Sequence, residues 1–422
     1  MRQLKLLFYS FMFFTGLFLI TVPATISQTL NGKYIMAFHT CNTAATTCSD
    51  PRNHSVYVAQ SDDGIIWSLL SGYTPYNGSV PDLIRRGNTL YVYTPGMVRR
   101  YMIDTGIWKD SAPVSTSIKF SSGESEDFVD PSPILDNNGS IILFYLVSQK
   151  GGDPARCQSG QTSCIKTFRS ATEVSGSDGA SFLVDAGNRV EISITSSESA
   201  SDPDIFKGPG GFVLYIARNG GVQALSANDL RGNYQNISGL SNGMLVDTGL
   251  GSVPAGYYND TSGEYWTYVH RPQGNTSSIS RAVHNRIDAA LSSSSFSTVI
   301  SGSTFPDLGS SYTVESPGFA VNTTNICAAS LSNTLRLHVP VLTFGSQYFW
   351  ADFEYVTNSL NFTLTNYGEI TGTDNFSSCS PSTLSTELTL HIPVVFYNDI
   401  SYRADFQYTQ GLIFSLTNAE KN

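Results

Sequence analysis

The sequence predicts an all-β protein: a five-bladed β-propeller closed by a C-terminal strand in the first blade, followed by a small all-β repeat module. Three observations carry this reading. The 422 residues are 41% hydrophobic and only 14% charged, with 36 Gly, 22 Tyr and 24 Phe, a mixture suited to strands joined by tight turns. One phrase recurs four times: a Pro or Asp-Pro, a short apolar stretch, a turn, then an aromatic-rich strand. A second, unrelated repeat follows residue 322. Disorder needs high charge and few aromatics, whereas aromatics here are 12%, and a helical rod needs Ala, Glu, Lys and Leu that this chain does not use. With 34 acidic against 24 basic residues, the chain is also poorly suited to phosphate backbones, so no nucleic-acid partner is expected.

In chain order, residues 1–27 come first. Arg2 and Lys5 precede an apolar run over 6–22, and small residues follow in Pro23-Ala24-Thr25-Ile26-Ser27. This is the pattern of a secretory signal peptide, with an uncleaved anchor as the alternative because the run reaches about the minimum length for a span. No second long apolar stretch follows, so the mature protein is expected to be secreted or periplasmic and to have no membrane contact. In an oxidising compartment six cysteines read as disulfides. Cys41 with Cys48, Cys157 with Cys164, and Cys327 with Cys379 are the expected pairs among fifteen arrangements. Zinc is disfavoured at the local pairs, whose spacing of seven is wrong for it and which lack paired His nearby.

Residues 28–322 form the propeller. Its repeated phrase begins at Val80-Pro81-Asp82-Leu83, at Val129-Asp130-Pro131-Ser132, at Ser201-Asp202-Pro203-Asp204 and at Val253-Pro254-Ala255-Gly256. Each copy leads into an aromatic strand and then into a further strand and turn, such as Ser61-Asp62-Asp63-Gly64-Ile65-Ile66-Trp67 and Ser177-Asp178-Gly179-Ala180-Ser181-Phe182. Such a unit is a four-stranded antiparallel blade. The mature chain starts with the second kind of strand, at Lys33-Tyr34-Ile35-Met36, and so lacks a first inner strand. Val314-Glu315-Ser316-Pro317-Gly318-Phe319 supplies one far downstream. Slotting it into the first blade closes five blades and leaves no long free edge. A β-sandwich is the competing fold, but it requires no regular Asp/Pro recurrence.

Residues 323–422 carry the second repeat. Leu335-Arg336-Leu337-His338-Val339-Pro340-Val341 matches Leu388-Thr389-Leu390-His391-Ile392-Pro393-Val394, and Ala351-Asp352-Phe353 matches Ala404-Asp405-Phe406, at an offset of 53. Alternating apolar and polar positions make each unit a meander with one buried face. His338 and His391 occupy equivalent strand positions and read as repeated structural residues. The module is an accessory unit, either adhesive or a spacer.

Inner strands of a propeller line its channel, and their starts bring Asp82, Asp130, Asp202, Asp204 and Glu315 toward one centre. Converging carboxylates repel one another and raise the proton affinity of some, and a raised acid beside an ionised base is what glycosidic cleavage requires. The plainer account is that Asp before Pro shapes strand entry.

The residues resemble the five-bladed propeller glycosidases of the arabinanase and β-xylosidase type, glycoside hydrolase family 43 and its relatives. Val129-Asp130-Pro131-Ser132, then Asp136 to Gly139 and Phe144-Tyr145, is similar to the third-blade motif of that family. Val80-Pro81-Asp82-Leu83 resembles the second-blade pattern, and the turn at 61–67 resembles outer turns of these enzymes and of sialidases. The resemblance implies that Asp130 tunes and orients the acid. It also expects Glu where Ser201 stands and Asp before the proline of the first blade, where the chain has Glu315-Ser316-Pro317. Only Asp130 matches the family's catalytic positions directly. The hydrolytic reading takes Asp130 as modulator, Asp202 as acid, with Glu198 the other carboxylate able to substitute there, and Glu315, placed by ring closure, as base. Asp82, Asp204, Trp67, Tyr93 and Tyr257 are its substrate-binding residues, the aromatics stacking on sugar faces. Two functions follow from the reading: an exported glycoside hydrolase acting on a poly- or oligosaccharide, or a non-catalytic propeller binding glycans or a surface partner after loss of the acid. No motif for a nucleotide, flavin or haem cofactor is present. A structural divalent cation in the channel, held through oxygen ligands near His270, is a third reading.

Overall fold

The computed structural model describes residue 30 and residues 32–421, except 104, 137–139, 149–150, 261, 323–328, 332–334, 346, 358, 370–381 and 398–399. The expected signal peptide and the Cys327–Cys379 pair lie outside the described residues. Among the described residues no helix is long and apolar enough to cross a membrane.

The described chain is almost wholly β-structure, and residues 34–321 form five blades. Blade 1 has the order Tyr312–Val321, Tyr34–Asn42, Ser55–Ser61, Ser68–Leu69, so the last strand of the ring is the innermost strand of its first blade. Blades 2 to 5 begin with the inner strands Asp82–Arg86, Phe128–Leu135, Ala200–Gly208 and Ser252–Asn259, each followed outward by its next strands in antiparallel order. Each inner strand contacts those of the two adjacent blades, which closes the ring. Asn322 locks the closure: its side chain donates to the carbonyls of Leu30 (3.2 Å) and Gly32 (2.7 Å), and its own amide to that of Lys33 (2.8 Å).

Every blade is covered on both faces, which explains the uninterrupted apolar second strands. Side chains alternate with a period of two, so in Tyr34–Asn42 the residues Tyr34, Met36 and Phe38 pack toward Trp266 and Tyr268 of blade 5, while Ile35 and Ala37 pack toward Leu83 and Leu90 of blade 2. In blade 3, Ile142, Phe144 and Leu146 meet Leu214 and Ile216 of blade 4, and Leu143 and Tyr145 meet Tyr91 and Tyr93 of blade 2. The core is thus a series of interfaces between blades.

The Asp-Gly turns read from the sequence latch neighbouring blades together. Gly64 accepts from the Tyr268 hydroxyl (3.1 Å) and Asp63 from Arg281 (2.9 Å), both in blade 5. Asp178 accepts from the Tyr91 hydroxyl (2.6 Å) and from Arg100 (2.7 Å) of blade 2, and Gly179 from the Tyr93 hydroxyl (2.9 Å). Both glycines have positive φ, and a Cβ would lie 2.5 Å from the Trp266 ring at Gly64 and 2.7 Å from the Tyr93 oxygen at Gly179. Only glycine fits these contacts. Two expected disulfides, Cys41–Cys48 and Cys157–Cys164, are present.

The C-terminal residues form one closed sheet. The meander Arg336–Phe344, Gln347–Tyr355, Asn361–Glu369 pairs through its last strand with Ile413–Lys421 of the second meander. At the other side the short strands Ala329–Leu331 and Ser382–Leu384 each bridge one repeat to the other. Both repeats carry a register shift at their Val-Pro or Ile-Pro step. His338 and His391 each bond the carboxylate directly opposite on the adjacent strand, Asp352 and Asp405 respectively, the same local role in both repeats.

Candidate functional site

The five inner strands enter the channel through one repeated backbone device. The residue before the proline has φ near +50° in every blade: Ser316 (52°), Val80 (45°), Asp130 (52°), Asp202 (46°) and Val253 (49°). In four blades a register shift with the second strand accompanies it. Such a conformation is strained for a non-glycine residue, most of all for β-branched Val, and sterically unexpected before proline. Repeated five times, it turns five prolines toward one another and narrows the channel to a neck of about 20 Å³, room for about one water molecule.

Four carboxyl groups line this neck, and three of them are tied to backbone amides. Asp130 of blade 3 accepts from the amide of Asp202 in blade 4 (3.2 Å), and Asp204 of blade 4 accepts from that of Gly256 in blade 5 (2.7 Å). Asp82 of blade 2 accepts from Leu83 (2.7 Å) and from the hydroxyl of Ser132 in blade 3, whose oxygen in turn accepts from Ile205 in blade 4 (3.1 Å). Ser201 donates to Asp202 at 2.5 Å. Burial is the first cause raising all four acids. It pushes Asp82 up to about 7 and Asp202 to about 6, and together with the neighbouring carboxylates holds Asp130 and Asp204 well above the usual range. Three of these acids staple neighbouring blades together, Asp202 bonds within its own strand, and burial raises the proton affinity of all four above the ordinary carboxylate range.

Glu315 belongs to a separate cluster. It lies opposite His39 in the blade 1 ladder, accepts from the Thr313 hydroxyl (2.7 Å), and its other oxygen is 3.9 Å from His39 Nε2. His39 and His54 are each 2% exposed, and their Nδ1 atoms are 2.9 Å apart. His54 Nε2 faces the Cys48 carbonyl (2.9 Å) and must donate to it, so His54 Nδ1 accepts and His39 Nδ1 carries the proton. The remaining nitrogen, His39 Nε2, then accepts from the Ser316 hydroxyl at 2.9 Å. Burial, then His54 and His270, keep His39 uncharged by lowering its proton affinity well below the ordinary value. His270 of blade 5 bonds Ser277 through Nε2 (3.0 Å), and its buried Nδ1 has no hydrogen-bond partner among the described residues. Neither His39 nor His54 was singled out in the sequence. The signal was present, since closure of blade 1 sets residue 39 beside the Glu-Ser-Pro start, but it becomes visible only once the register is known.

The other assigned residues fall elsewhere. Tyr93 is fully buried between blades 2 and 3, and Trp67, 5% exposed, packs edge-on against Tyr268 and Phe319; neither offers a face to a ligand. Tyr257 is half-buried beside Phe319 (5.4 Å between rings) and lines a cleft of about 880 Å³ at the far ends of the inner strands. Phe206, Phe212 and Phe319 share that cleft with Arg231, whose guanidinium is paired to Asp136 (3.3 Å) and Asp185 (3.4 Å).

No family model matches the chain, and no curated protein does. Among solved structures it is similar to an endo-1,4-β-xylanase from Bacteroides thetaiotaomicron VPI-5482, at 14% identity over 65% of this chain and 92% of that one, with a TM-score of 0.39. An endo-arabinase of the same organism is 16% identical over 70% of this chain and 94% of that one, TM-score 0.32. An exo-β-1,3-galactanase from Phanerochaete chrysosporium is 13% identical over 68% of this chain and 58% of that one, TM-score 0.35. The assignment of a propeller rests on the strand order and ring closure themselves.

Proposed function

We propose that this is an exported, carbohydrate-binding propeller of glycosidase-like architecture that holds its glycan without hydrolysing it. The observation carrying the reading is the neck. A space of about 20 Å³ excludes a sugar ring, and three of its four carboxyls serve as inter-blade acceptors. Serines stand at two places where the sequence resemblance expects carboxylic acids, Ser201 and Ser316, and the second is engaged with His39. The wide cleft instead has the size and lining of a ligand site: half-buried rings beside a guanidinium fixed by carboxylates, which suits apolar sugar faces flanked by hydroxyls. Export is supported by the apolar N-terminal run and by two disulfides.

One observation favours the hydrolytic reading. Asp202, raised to about 6 next to Asp130, has the proton affinity of a general acid, and Glu315, with 23% of its side chain exposed, would serve as base. The purified chain incubated with arabinan, xylan and algal polysaccharides separates the two. Retention on immobilised glycan without release of reducing sugar, and weakened about tenfold by Tyr257→Ala, is the expected outcome. Turnover that Asp202→Asn abolishes would overturn the binding reading in favour of hydrolysis.

A further inference from the structure

We propose that His39, His54 and Glu315 form a binding site for one transition-metal ion of the zinc class, built into blade 1 and independent of the glycan reading. The three residues come from three neighbouring strands or strand entries of one sheet, and one ligand atom from each lies within 4.8 Å of the other two. Two imidazoles and a carboxylate are a donor set suited to zinc, leaving a fourth position for water. The outer contacts of both rings are those that metal-bound histidines use. His54 directs Nδ1 inward because Nε2–H is held by the Cys48 carbonyl, itself fixed by the Cys41–Cys48 disulfide. His39 has the Ser316 hydroxyl at its Nε2, and that oxygen accepts a hydrogen bond as readily as its O–H donates one. Moving the His39 proton from Nδ1 to Nε2 therefore frees its Nδ1 lone pair while keeping the Ser316 bond.

The inward nitrogens are 2.9 Å apart. Two ligands at about 2.05 Å from a tetrahedral ion are about 3.3 Å apart, so the rings must part by roughly 0.4 Å, and the Glu315 carboxylate, which stands 3.9 Å from His39 Nε2, must swing toward the Nδ1 side to complete the set. The partly exposed Glu315 gives the ion its way in. Without an ion the same atoms satisfy each other by a hydrogen bond between the two histidines, so the test must read metal directly.

The full chain with its disulfides intact is stripped with a chelator and titrated calorimetrically with Zn²⁺ alone. One equivalent is expected to bind, with Glu315→Gln weakening it at least about tenfold and His54→Gln more. The double variant His338→Ala/His391→Ala, which removes the exposed imidazoles of the C-terminal sheet, should leave stoichiometry and affinity unchanged. Because a histidine variant could fail to fold, Co²⁺ is added to the wild-type chain as a second measurement, and a four-coordinate visible spectrum is expected. Absence of binding, a spectrum identical to aqueous Co²⁺, or binding that survives both blade 1 substitutions and disappears in the module variant overturns the site.

Discussion

Asp82 is 8% exposed and burial lifts its carboxyl to about 7, so this residue makes stability depend on pH in a direction opposite to that of a paired surface carboxylate. When the chain unfolds the acid ionises near its ordinary 3.8. Between about pH 4 and 7 the folded state therefore holds the extra proton, and stability falls as pH rises through that interval. Asp82→Asn keeps an oxygen for the Leu83 amide and a polar group for Ser132 but carries no charge. The variant is expected to gain on the wild type as pH rises, by on the order of 2 to 4 kcal/mol between pH 4.5 and 8, read as the difference in melting temperature at the two values. A gap that stays constant with pH would show that the carboxyl is ionised throughout. The same reasoning separates two readings of these acids. Their recurrence at strand starts was legible in the sequence, and so was the alternative that Asp before Pro is architectural. Which amide each carboxylate would face was not legible, because Asp130 meets Asp202, and Asp204 meets Gly256, across blades 72 and 52 residues apart.

At the level of elements, the blades were legible because each repeats the same order of turn, apolar run and aromatic strand, and because ring closure requires an inner strand for blade 1. The strained entries were not. Sterics before proline favour extended backbone, so five residues near φ +50° are a tertiary outcome imposed where five strands crowd one axis. The Asp-Gly turns lie between these cases: the sequence shows the turn but not that it docks on the preceding blade. That docking makes a specific demand on Gly179, whose φ is 75° and whose added Cβ would meet both Tyr91 and Tyr93. Gly179→Ala should cost about 2 to 4 kcal/mol, combining backbone strain with overpacking, and urea denaturation should show a lowered midpoint with an unchanged slope. Gly176, also with positive φ (77°) but with nothing within 4 Å of an added Cβ, provides the control. Gly176→Ala should lose only the strain, about 1 kcal/mol. Equal losses at the two positions would mean that the contact with blade 2 contributes nothing.

For the whole molecule, the decisive structural fact is that the ring is closed by hydrogen bonds between residues nearly three hundred positions apart, while the C-terminal sheet closes upon itself around its own core of Leu337, Val339, Phe353, Ile392, Phe406 and others. Two cores with separate closures should melt separately. Asn322 belongs to the first closure only: it bonds Leu30, Gly32 and Lys33 and accepts from Arg85 of blade 2. Asn322→Ala removes two donated bonds and leaves the Leu30 and Gly32 carbonyls and the Arg85 guanidinium without that partner, a loss of about 2 to 4 kcal/mol. Scanning calorimetry of the intact chain should resolve two transitions, of which the variant lowers only the propeller's, by several degrees. Movement of both by the same amount would mean that ring and C-terminal sheet unfold as one cooperative unit, and that closure at Asn322 supports the whole chain.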